Sequence, residues 1–283
     1  MALQFHLVLL VLLAAVLHAS WNAVVKSADD RFLSFTAIRG TGSVIAVLAI
    51  PFVPLPKAEA WPFLVAGWAI HNAYYVVLLQ AYRFGDLSHV YPLARGVAPL
   101  AVAALAAVFA DEVPGRGGLA GIALISFGII SLMFAGGGPS RDARTPVALA
   151  VATGLLIAFY TVVDGLGMRR GGTVLGYIVW LNVGEGIPFM VAAWLLRRPD
   201  VGPFLRANWP RTTGTGVLVV AAYGLVLYAL GLGAMAHVSA LRETSVLFAA
   251  LIGAVLLDEP FGRTRILAAL VIVSGVILMQ TMS

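Results

Sequence analysis

Long apolar runs follow one another along almost the whole chain, and short polar segments separate them. A helix needs about 20 residues to cross a hydrocarbon layer of about 30 Å. Ten runs meet this length, and we predict membrane spans at residues 4–25, 32–53, 62–83, 89–110, 116–135, 146–164, 172–196, 212–232, 238–257 and 263–281. Spanning strands would alternate apolar and polar residues, whereas these runs are continuous, so the pattern predicts an all-α membrane protein.

The composition agrees with this pattern. Of the 283 residues, 61% are hydrophobic and only 11% are charged, and the mean hydropathy is +0.97. Such a chain has too little polar surface to cover a water-soluble globule of this size. We expect a multi-pass protein of the inner or plasma membrane, with an uncleaved first helix and no extramembrane domain. The longest loop is predicted at 197–211.

Charge and motifs exclude several classes of protein. The net charge of +5 is spread over the loop ends, which suits contact with the lipid bilayer and does not indicate nucleic-acid binding. The chain has no cysteine, which excludes disulfides, thiol catalysis and cysteine-ligated metals. No phosphate loop, dinucleotide fingerprint or HExxH motif occurs. We therefore expect no metal or other cofactor and no enzyme activity.

The chain contains an internal repeat. When residues 95–130 are shifted by 147 positions, twelve of thirty-six coincide with identical residues. These pairs include Arg95 with Arg242, and Asp111-Glu112 with Asp258-Glu259. At a shift of 148, the preceding segment also matches and pairs Tyr75 with Tyr223.

The repeat unit contains five spans. Because five is odd, the second copy is inverted, and we predict two inverted five-helix repeats related by a two-fold axis in the membrane plane. The predicted boundaries are 1–137 for the first repeat and 138–283 for the second. They meet at the Gly- and Pro-containing segment 136–142.

Several motifs resemble a known family. Asp111-Glu112 and Asp258-Glu259 each end a span and precede a Gly, an Arg and another helix. The first span carries His18-Ala19-Ser20-Trp21-Asn22-Ala23, with Lys26 following. These features resemble the repeat of the drug/metabolite transporter superfamily, in its EamA-type branch. The aromatic, His-bearing third span is most similar to YddG-like exporters of amino acids.

The orientation in the membrane stays open. Eleven Lys and Arg residues lie in predicted loops on the side opposite the termini, and four lie on the side of the termini. This distribution places the termini outside the cell. The family resemblance implies instead that both termini are cytoplasmic.

The third span carries the clearest candidate binding surface. His71, Tyr75, Leu78 and Tyr82 follow each other at intervals of 4, 3 and 4 residues, which places them on one helical face. Aromatic rings with polar groups can stack on a substrate and donate hydrogen bonds to it. The alternative is interhelical packing.

The first and sixth spans offer further candidates. His18, Trp21 and Asn22 lie together in the first span, and Tyr160 and Asp164 lie in the sixth. We expect both helices to flank the same cavity as the third span and Tyr223. The alternative places Trp21 and Tyr160 in the aromatic belt at the membrane surface.

Arg95 and Arg242 are equivalent positions in the two repeats. Pro92 removes a backbone donor near Arg95, which predicts an interrupted helix where the guanidinium could bind a substrate carboxylate. The second copy lacks this proline and has Glu243 beside Arg242. A structural role for both arginines is an equal alternative.

Protons are a candidate partner. Asp164, Glu185 and Glu243 are the acidic residues nearest to membrane depth, and His18, His71 and His237 could also bind protons. Uncoupled transport fits the sequence equally well. Asp111-Glu112 and Asp258-Glu259 are better explained by ion pairing at helix ends, beside Arg116 and Arg263.

The leading functional hypothesis is a secondary transporter that exports small metabolites by alternating access, with aromatic or neutral amino acids as substrates. Proton-coupled carriers of drugs, and carriers of sugars or nucleotide sugars, are the alternatives within this class. An intramembrane enzyme would need a catalytic constellation, and a channel would need repeated pore-lining rings. The sequence offers neither, and we expect a working monomer.

Overall fold

The computed structural model describes residues 3–26, 30–84, 87–134, 143–256 and 262–282. These residues form ten α-helices, and the described part of the chain contains no strand. The helices are α1 (Phe5–Lys26), α2 (Arg31–Ala49), α3 (Trp61–Phe84), α4 (Leu87–Phe109), α5 (Arg116–Ser131), α6 (Arg144–Arg170), α7 (Val174–Leu232), α8 (Met235–Arg242), α9 (Ser245–Leu256) and α10 (Arg263–Thr281). The predicted junction 136–142 and the pair Asp258-Glu259 lie outside the described residues.

Helix α7 is far too long to be a single span. Its 59 residues would extend for about 88 Å, roughly three times the hydrocarbon thickness. Arg197, with φ −136° and ψ 25°, is non-helical and divides α7 into two parts. The prediction of a loop at 197–211 was therefore wrong, because the chain resumes as a helix directly after Arg197. Pro199 fits this turn, since the first residues of a helix need no backbone donor.

The contacts of α2 show that the two parts of α7 fold back on each other. A Cβ on Gly186, before the kink, would meet the backbone of Arg39, and one on Gly216, after the kink, would lie 2.8 Å from the Ile38 carbonyl oxygen. Thirty residues of straight helix would separate the two glycines by about 45 Å. The helix therefore forms a hairpin around α2.

The described residues contain nine helical segments long and apolar enough to cross a membrane. One of them is the α7 hairpin, which crosses twice, and another consists of α8 and α9 together. The total is ten crossings, as the pattern of apolar runs predicts. Large exposed side chains such as Phe5, Val108 and Leu196 form an outer surface suited to lipid. The protein is an all-α membrane protein built from two inverted five-helix repeats.

Both chain ends lie on the same side of the bundle, which we call the terminal side. The Leu3 backbone N–H donates to the side chain of Gln280 at 3.2 Å. The other side, where α1 ends and α2 begins, is the opposite side. Ten crossings require this arrangement, because an even number returns the chain to the side where it began.

Helices α5 and α10 occupy equivalent places in the two repeats and pack directly against each other. Their backbones meet where each lacks a side chain. A Cβ on Gly121 would lie 2.6 Å from the Gly275 carbonyl oxygen, and a Cβ on Gly275 would lie 2.8 Å from the Gly121 carbonyl oxygen. Small residues allow this kind of close approach between membrane helices.

We predict that Gly121→Ala destabilises the protein by about 1–3 kcal/mol, because the added methyl group would overlap a backbone atom that cannot move aside. Gly214→Ala is the matched control, since nothing lies within 4 Å of a Cβ at that position. Thermal unfolding of the purified protein in detergent measures both effects. Equal unfolding temperatures for the two variants would contradict the close α5–α10 contact.

Candidate functional site

A cavity lies between α1, α2, α3, α4 and α6. It extends from the opposite side toward the middle of the bundle, and the centres of water-sized molecules can occupy about 70 Å³ of it. Its lining is aromatic and basic, and consists of His18, Trp21, Asn22, Arg31, Phe35, Tyr74, Tyr75, Leu78, Leu79, Tyr91, Ala94, Arg95, Thr153 and Ile157. Among the described residues, the lining contains two arginines and no carboxylate.

Aromatic rings from α2 and α3 form one wall of the cavity. The Tyr75 ring lies 4.7 Å from the Phe35 ring and 4.9 Å from the Tyr74 ring, in tilted orientations. Such contacts hold the rings in place. The wall therefore offers a preorganised surface for an apolar or aromatic group.

The last turns of α1 form the facing wall. Trp21 donates its indole N–H to Nδ1 of His18 at 3.3 Å, and Asn22 donates to the His18 carbonyl oxygen at 2.8 Å. These bonds fix the polar groups of α1 at the cavity surface. Trp21 therefore lies in the cavity wall.

Arg95, from α4, lies in the buried part of the cavity lining. Its Nε lies 2.6 Å from a carboxylate oxygen of Glu243, and Nη2 donates to the hydroxyl of Ser245 at 2.9 Å. Arg242 lies 3.3 Å from the other oxygen of Glu243. All three charged side chains are at least 96% buried. We call Arg95, Arg242 and Glu243 the positive cluster, because two guanidinium groups share one carboxylate.

A second charged group lies deeper in the bundle. His71 Nε2 lies 2.8 Å from Asp164, and Nδ1 lies 3.0 Å from Glu185. Glu185 also forms an ion pair with Arg39 of α2. We call Arg39, His71, Asp164 and Glu185 the negative cluster. With a neutral imidazole, one guanidinium group faces two carboxylates.

Tyrosines support Asp164 from both parts of α7. Tyr223 donates its hydroxyl to Asp164 at 2.6 Å, and Tyr177 donates at 3.3 Å. With His71, these bonds connect α3, α6 and both parts of the α7 hairpin through a single carboxylate. Hydrogen bonds to a charged group are stronger than those between neutral groups, and a site without water strengthens them further.

Tyr160 lies between the two clusters. Its ring stacks on His71, with centroids 4.1 Å apart and an angle of 21° between the planes. The Arg242 guanidinium lies 6.0 Å from the same ring. Tyr160 is 5% exposed, so it is an interior residue and not part of a surface belt.

The structure divides the predicted site residues into two sets. His18, Trp21, Asn22, Tyr75, Leu78 and Arg95 line the cavity. His71, Tyr160, Asp164 and Tyr223 lie beneath it, in or against the negative cluster. The side chain of Tyr82 lies outside the part of the chain that the structure describes.

The predicted helix interruption lies in the other repeat. Helix α4 continues through Pro92, whereas the equivalent span of the second repeat breaks between α8 and α9, at Glu243 and Thr244. There, the Thr244 hydroxyl donates to the Leu241 carbonyl oxygen at 2.7 Å, which competes with the helical hydrogen bonds. Glu243 is also held by Arg95 from α4.

The ion-pair partner of Glu112, near the end of α4, also differs from the predicted one. Its carboxylate lies 2.5 Å from Arg169 of α6 and accepts the Met235 backbone N–H at 2.7 Å. Arg169 further donates to the Gly233 carbonyl oxygen at 2.8 Å. We call Glu112, Arg169 and Met235 the terminal latch. It joins α6 to the segments before α5 and α8 on the terminal side, so the partner of Glu112 is Arg169 and not Arg116.

Several residues of the site were not predicted as binding residues. Arg39 was detectable, because a charged residue inside an apolar span carries the same signal as Arg95. Glu185 was recognised as acidic but was not placed in the site. The remaining residues carry ordinary aromatic or hydroxyl side chains, whose roles follow only from their neighbours: Phe35, Tyr91, Tyr177 and Ser245.

The arrangement does not resemble a metal centre. The two ring nitrogens of His71 lie near different carboxylates, so His71, Asp164 and Glu185 do not converge on one point. In the described parts of the chain, no group of three or more His, Asp or Glu residues is arranged to hold a metal ion.

Comparisons with known proteins agree with the fold. Residues 144–281 match the model of the EamA-like transporter family, whose members are transporters and not enzymes. This match supports the drug/metabolite transporter superfamily. A protein crystal structure that is 17% identical in sequence superposes with a TM-score of 0.81, covering 98% of this chain and 99% of that chain. No curated protein matches the sequence significantly.

We predict that Glu243→Gln lowers the stability of the protein by about 3–5 kcal/mol, because the two arginines of the positive cluster would lose their buried counter-charge. Glu59→Gln makes the same chemical change at an exposed position and should have little effect. Thermal unfolding in detergent compares them. An unfolding temperature for Glu243→Gln equal to that of the control would show that the cluster does not depend on this carboxylate.

Proposed function

We propose that the whole chain is an EamA-type secondary transporter that carries small metabolites through the central cavity by alternating access. The observation that carries the proposal is the cavity itself. It extends from one side to the middle of the bundle and is lined by aromatic rings and Arg95. Transporters with inverted repeats place their substrate sites at this depth.

Amino acids with aromatic or neutral side chains are the substrates that fit this lining best. The rings of Trp21, Phe35 and Tyr75 suit an apolar or aromatic side chain. Arg95 belongs to the positive cluster, whose surplus charge favours a carboxylate. The aromatic faces can accept the ammonium group through cation–π contacts. The similarity to YddG-like exporters supports the same choice.

The charge of the lining distinguishes this proposal from its alternatives. A carrier of cationic drugs needs a carboxylate facing the cavity, and none of the described lining residues is acidic. A nucleotide-sugar carrier needs several basic groups for its phosphates, but Arg31 lies at the mouth and the positive cluster has a surplus of one charge only. An uncharged sugar would leave this surplus charge unbalanced.

Alternating access requires the terminal side to open while the opposite side closes. The terminal latch holds the terminal side through the ion pair of Glu112 and Arg169 at 2.5 Å. This pair is only partly buried, with side-chain exposures of 21% and 29%, so water can replace its contacts at modest cost. We infer that the latch separates when the substrate is released to the terminal side.

The substrate-binding residues in this proposal are those at the cavity surface, namely His18, Trp21, Asn22, Tyr75, Leu78 and Arg95. The floor of the cavity is formed by the residues that lie beneath it, namely His71, Tyr160, Asp164 and Tyr223. One chain contains the whole cavity, so a monomer in the inner or plasma membrane suffices. Export is the direction that the family resemblance implies.

Counterflow in proteoliposomes tests the proposed substrate class. Vesicles loaded with unlabelled phenylalanine should take up labelled phenylalanine, whereas vesicles loaded with glucose or a cationic dye should not take up their labelled counterparts. Arg95→Lys should raise the concentration needed for half-maximal phenylalanine uptake by about tenfold, because lysine lacks the planar fork of arginine. Arg198→Lys, at an exposed position, is the control. Uptake of dye without uptake of phenylalanine would refute the proposed class.

Tyr75→Ala tests the aromatic wall independently of charge. Loss of the ring should weaken phenylalanine uptake by roughly tenfold, since one aromatic pair contributes about 1 kcal/mol or more beyond its buried area. Tyr75→Phe keeps the ring and should retain most of the uptake. If both variants lost uptake equally, the hydroxyl and not the ring would be the important group.

A further inference from the structure

The imidazole of His71 stands between two carboxylates. Asp164 lies 2.8 Å from Nε2, and Glu185 lies 3.0 Å from Nδ1. Only the contact of Nε2 with Asp164 has hydrogen-bond geometry, whereas Nδ1 and the Glu185 oxygen lie close without a hydrogen bond. A neutral imidazole can satisfy Asp164 through its single N–H. The approach of Glu185 becomes attractive only when one additional proton lies on the ring or on a carboxylate.

The charges around His71 support the same conclusion. Arg39 forms an ion pair with Glu185, and among the described contacts no second guanidinium pairs with either carboxylate. The negative cluster therefore lacks one positive charge. Its side chains are at least 94% buried, where an unbalanced charge is costly. The titratable and charged groups that face His71 from its own and neighbouring helices are Arg39, Tyr75, Tyr160, Asp164, Tyr177, Glu185, Tyr223 and Arg242. One proton brings Arg39, His71, Asp164 and Glu185 to neutrality.

The positive cluster on the far side of Tyr160 provides a link to the substrate. Its surplus charge partly balances the negative cluster while the cavity is empty. A substrate carboxylate at Arg95 would take up that surplus, and the negative cluster would then need its proton more strongly. By linkage, the proton would strengthen carboxylate binding by the same factor.

We propose that His71, Asp164 and Glu185 form a proton-binding site, and that a proton bound there moves in the same direction as the substrate carboxylate. The proposal rests on the proposed transport function. Where the outside is the more acidic side, this coupling drives uptake, which is opposite to the export that the family resemblance implies. Tyr75 connects the two sites, because it lines the cavity and its ring lies 6.2 Å from the His71 ring.

The position of this site suits it to control movement. Asp164 contacts His71 of α3, and it also contacts Tyr177 and Tyr223 in the two parts of α7. Glu185 contacts Arg39 of α2. Adding or removing one proton changes the attraction among these helices at the centre of the bundle. Both events would therefore change the relative stability of the two open states.

The first test uses proteoliposomes with the membrane potential held at zero by potassium and valinomycin. A lumen about one pH unit more alkaline than the outside should drive labelled phenylalanine to at most about tenfold accumulation, for one proton per substrate. Counterflow at equal pH, measured in parallel, reports transport alone. Active counterflow without any effect of the gradient would overturn the proton coupling and leave the transporter proposal standing.

Asp164→Asn makes the test specific. The asparagine oxygen can still accept hydrogen bonds from the two tyrosines, but the cluster no longer lacks a positive charge. Because Asp164 also holds the cavity floor, counterflow should slow but stay measurable, while gradient-driven accumulation disappears. A merely structural role of Asp164 would lower both activities in the same proportion. Glu59→Gln, an exposed acid changed to its amide, should retain both activities. Accumulation by Asp164→Asn equal to that of wild type would overturn the proposal.

The protonation of the negative cluster can also be measured without any substrate. This measurement decides the question if Asp164→Asn does not fold, or if the protein does not carry phenylalanine. Nitrogen NMR of histidine-labelled wild-type protein, assigned with His71→Gln, shows how many ring nitrogens of His71 carry protons. Infrared difference spectra show whether a carboxyl group is protonated. We expect one extra proton in the cluster at neutral pH. A neutral His71 with both carboxylates ionised would overturn the proton site.

Discussion

The architecture depends on the compensation of charge inside a membrane. Among the described residues, six charged side chains besides His71 lie almost fully buried at the centre of the bundle. Five of them contact an opposite charge, and the sixth, Asp164, is held by hydrogen bonds from His71 and two tyrosines. None could remain there alone, because lipid and packed side chains solvate ions poorly. The pairs join α2 to α7, α3 to α6 and α4 to the break between α8 and α9. The helices can therefore assemble only if their buried charges pair as they pack.

The two repeats share a fold but not a chemistry. Arg95 and Arg242 are equivalent in sequence, and both turn toward a single carboxylate, Glu243, that the first repeat does not contain. Tyr75 and Tyr223 are equivalent as well, but the first faces the cavity and the second holds Asp164. Duplication supplied a symmetric frame, and later divergence of single residues made an asymmetric site within it.

The sequence predicted the fold more fully than the site. Apolar runs report membrane spans directly, so ten crossings and their inversion followed from length and repeat. Contacts between residues of different helices leave no such signal, because the two residues are distant along the chain. Arg39 and Glu185 were visible as charges inside spans, yet only the packing of α2 against α7 pairs them. The break at Glu243 was missed because Thr244 and Arg95 cause it, without a proline.

The crossing of Gly121 and Gly275 has a further consequence. Because α5 and α10 are exchanged by the two-fold axis of the repeats, their point of contact lies close to that axis. When two bodies rock against each other, the material near the axis is displaced least. In the rocking motion that we propose, backbone-to-backbone contact would provide a firm fulcrum there, and the distant ends of α1, α3, α4 and α6 would sweep through the largest arcs. The absence of side chains at this crossing would then be a requirement of movement as much as of packing.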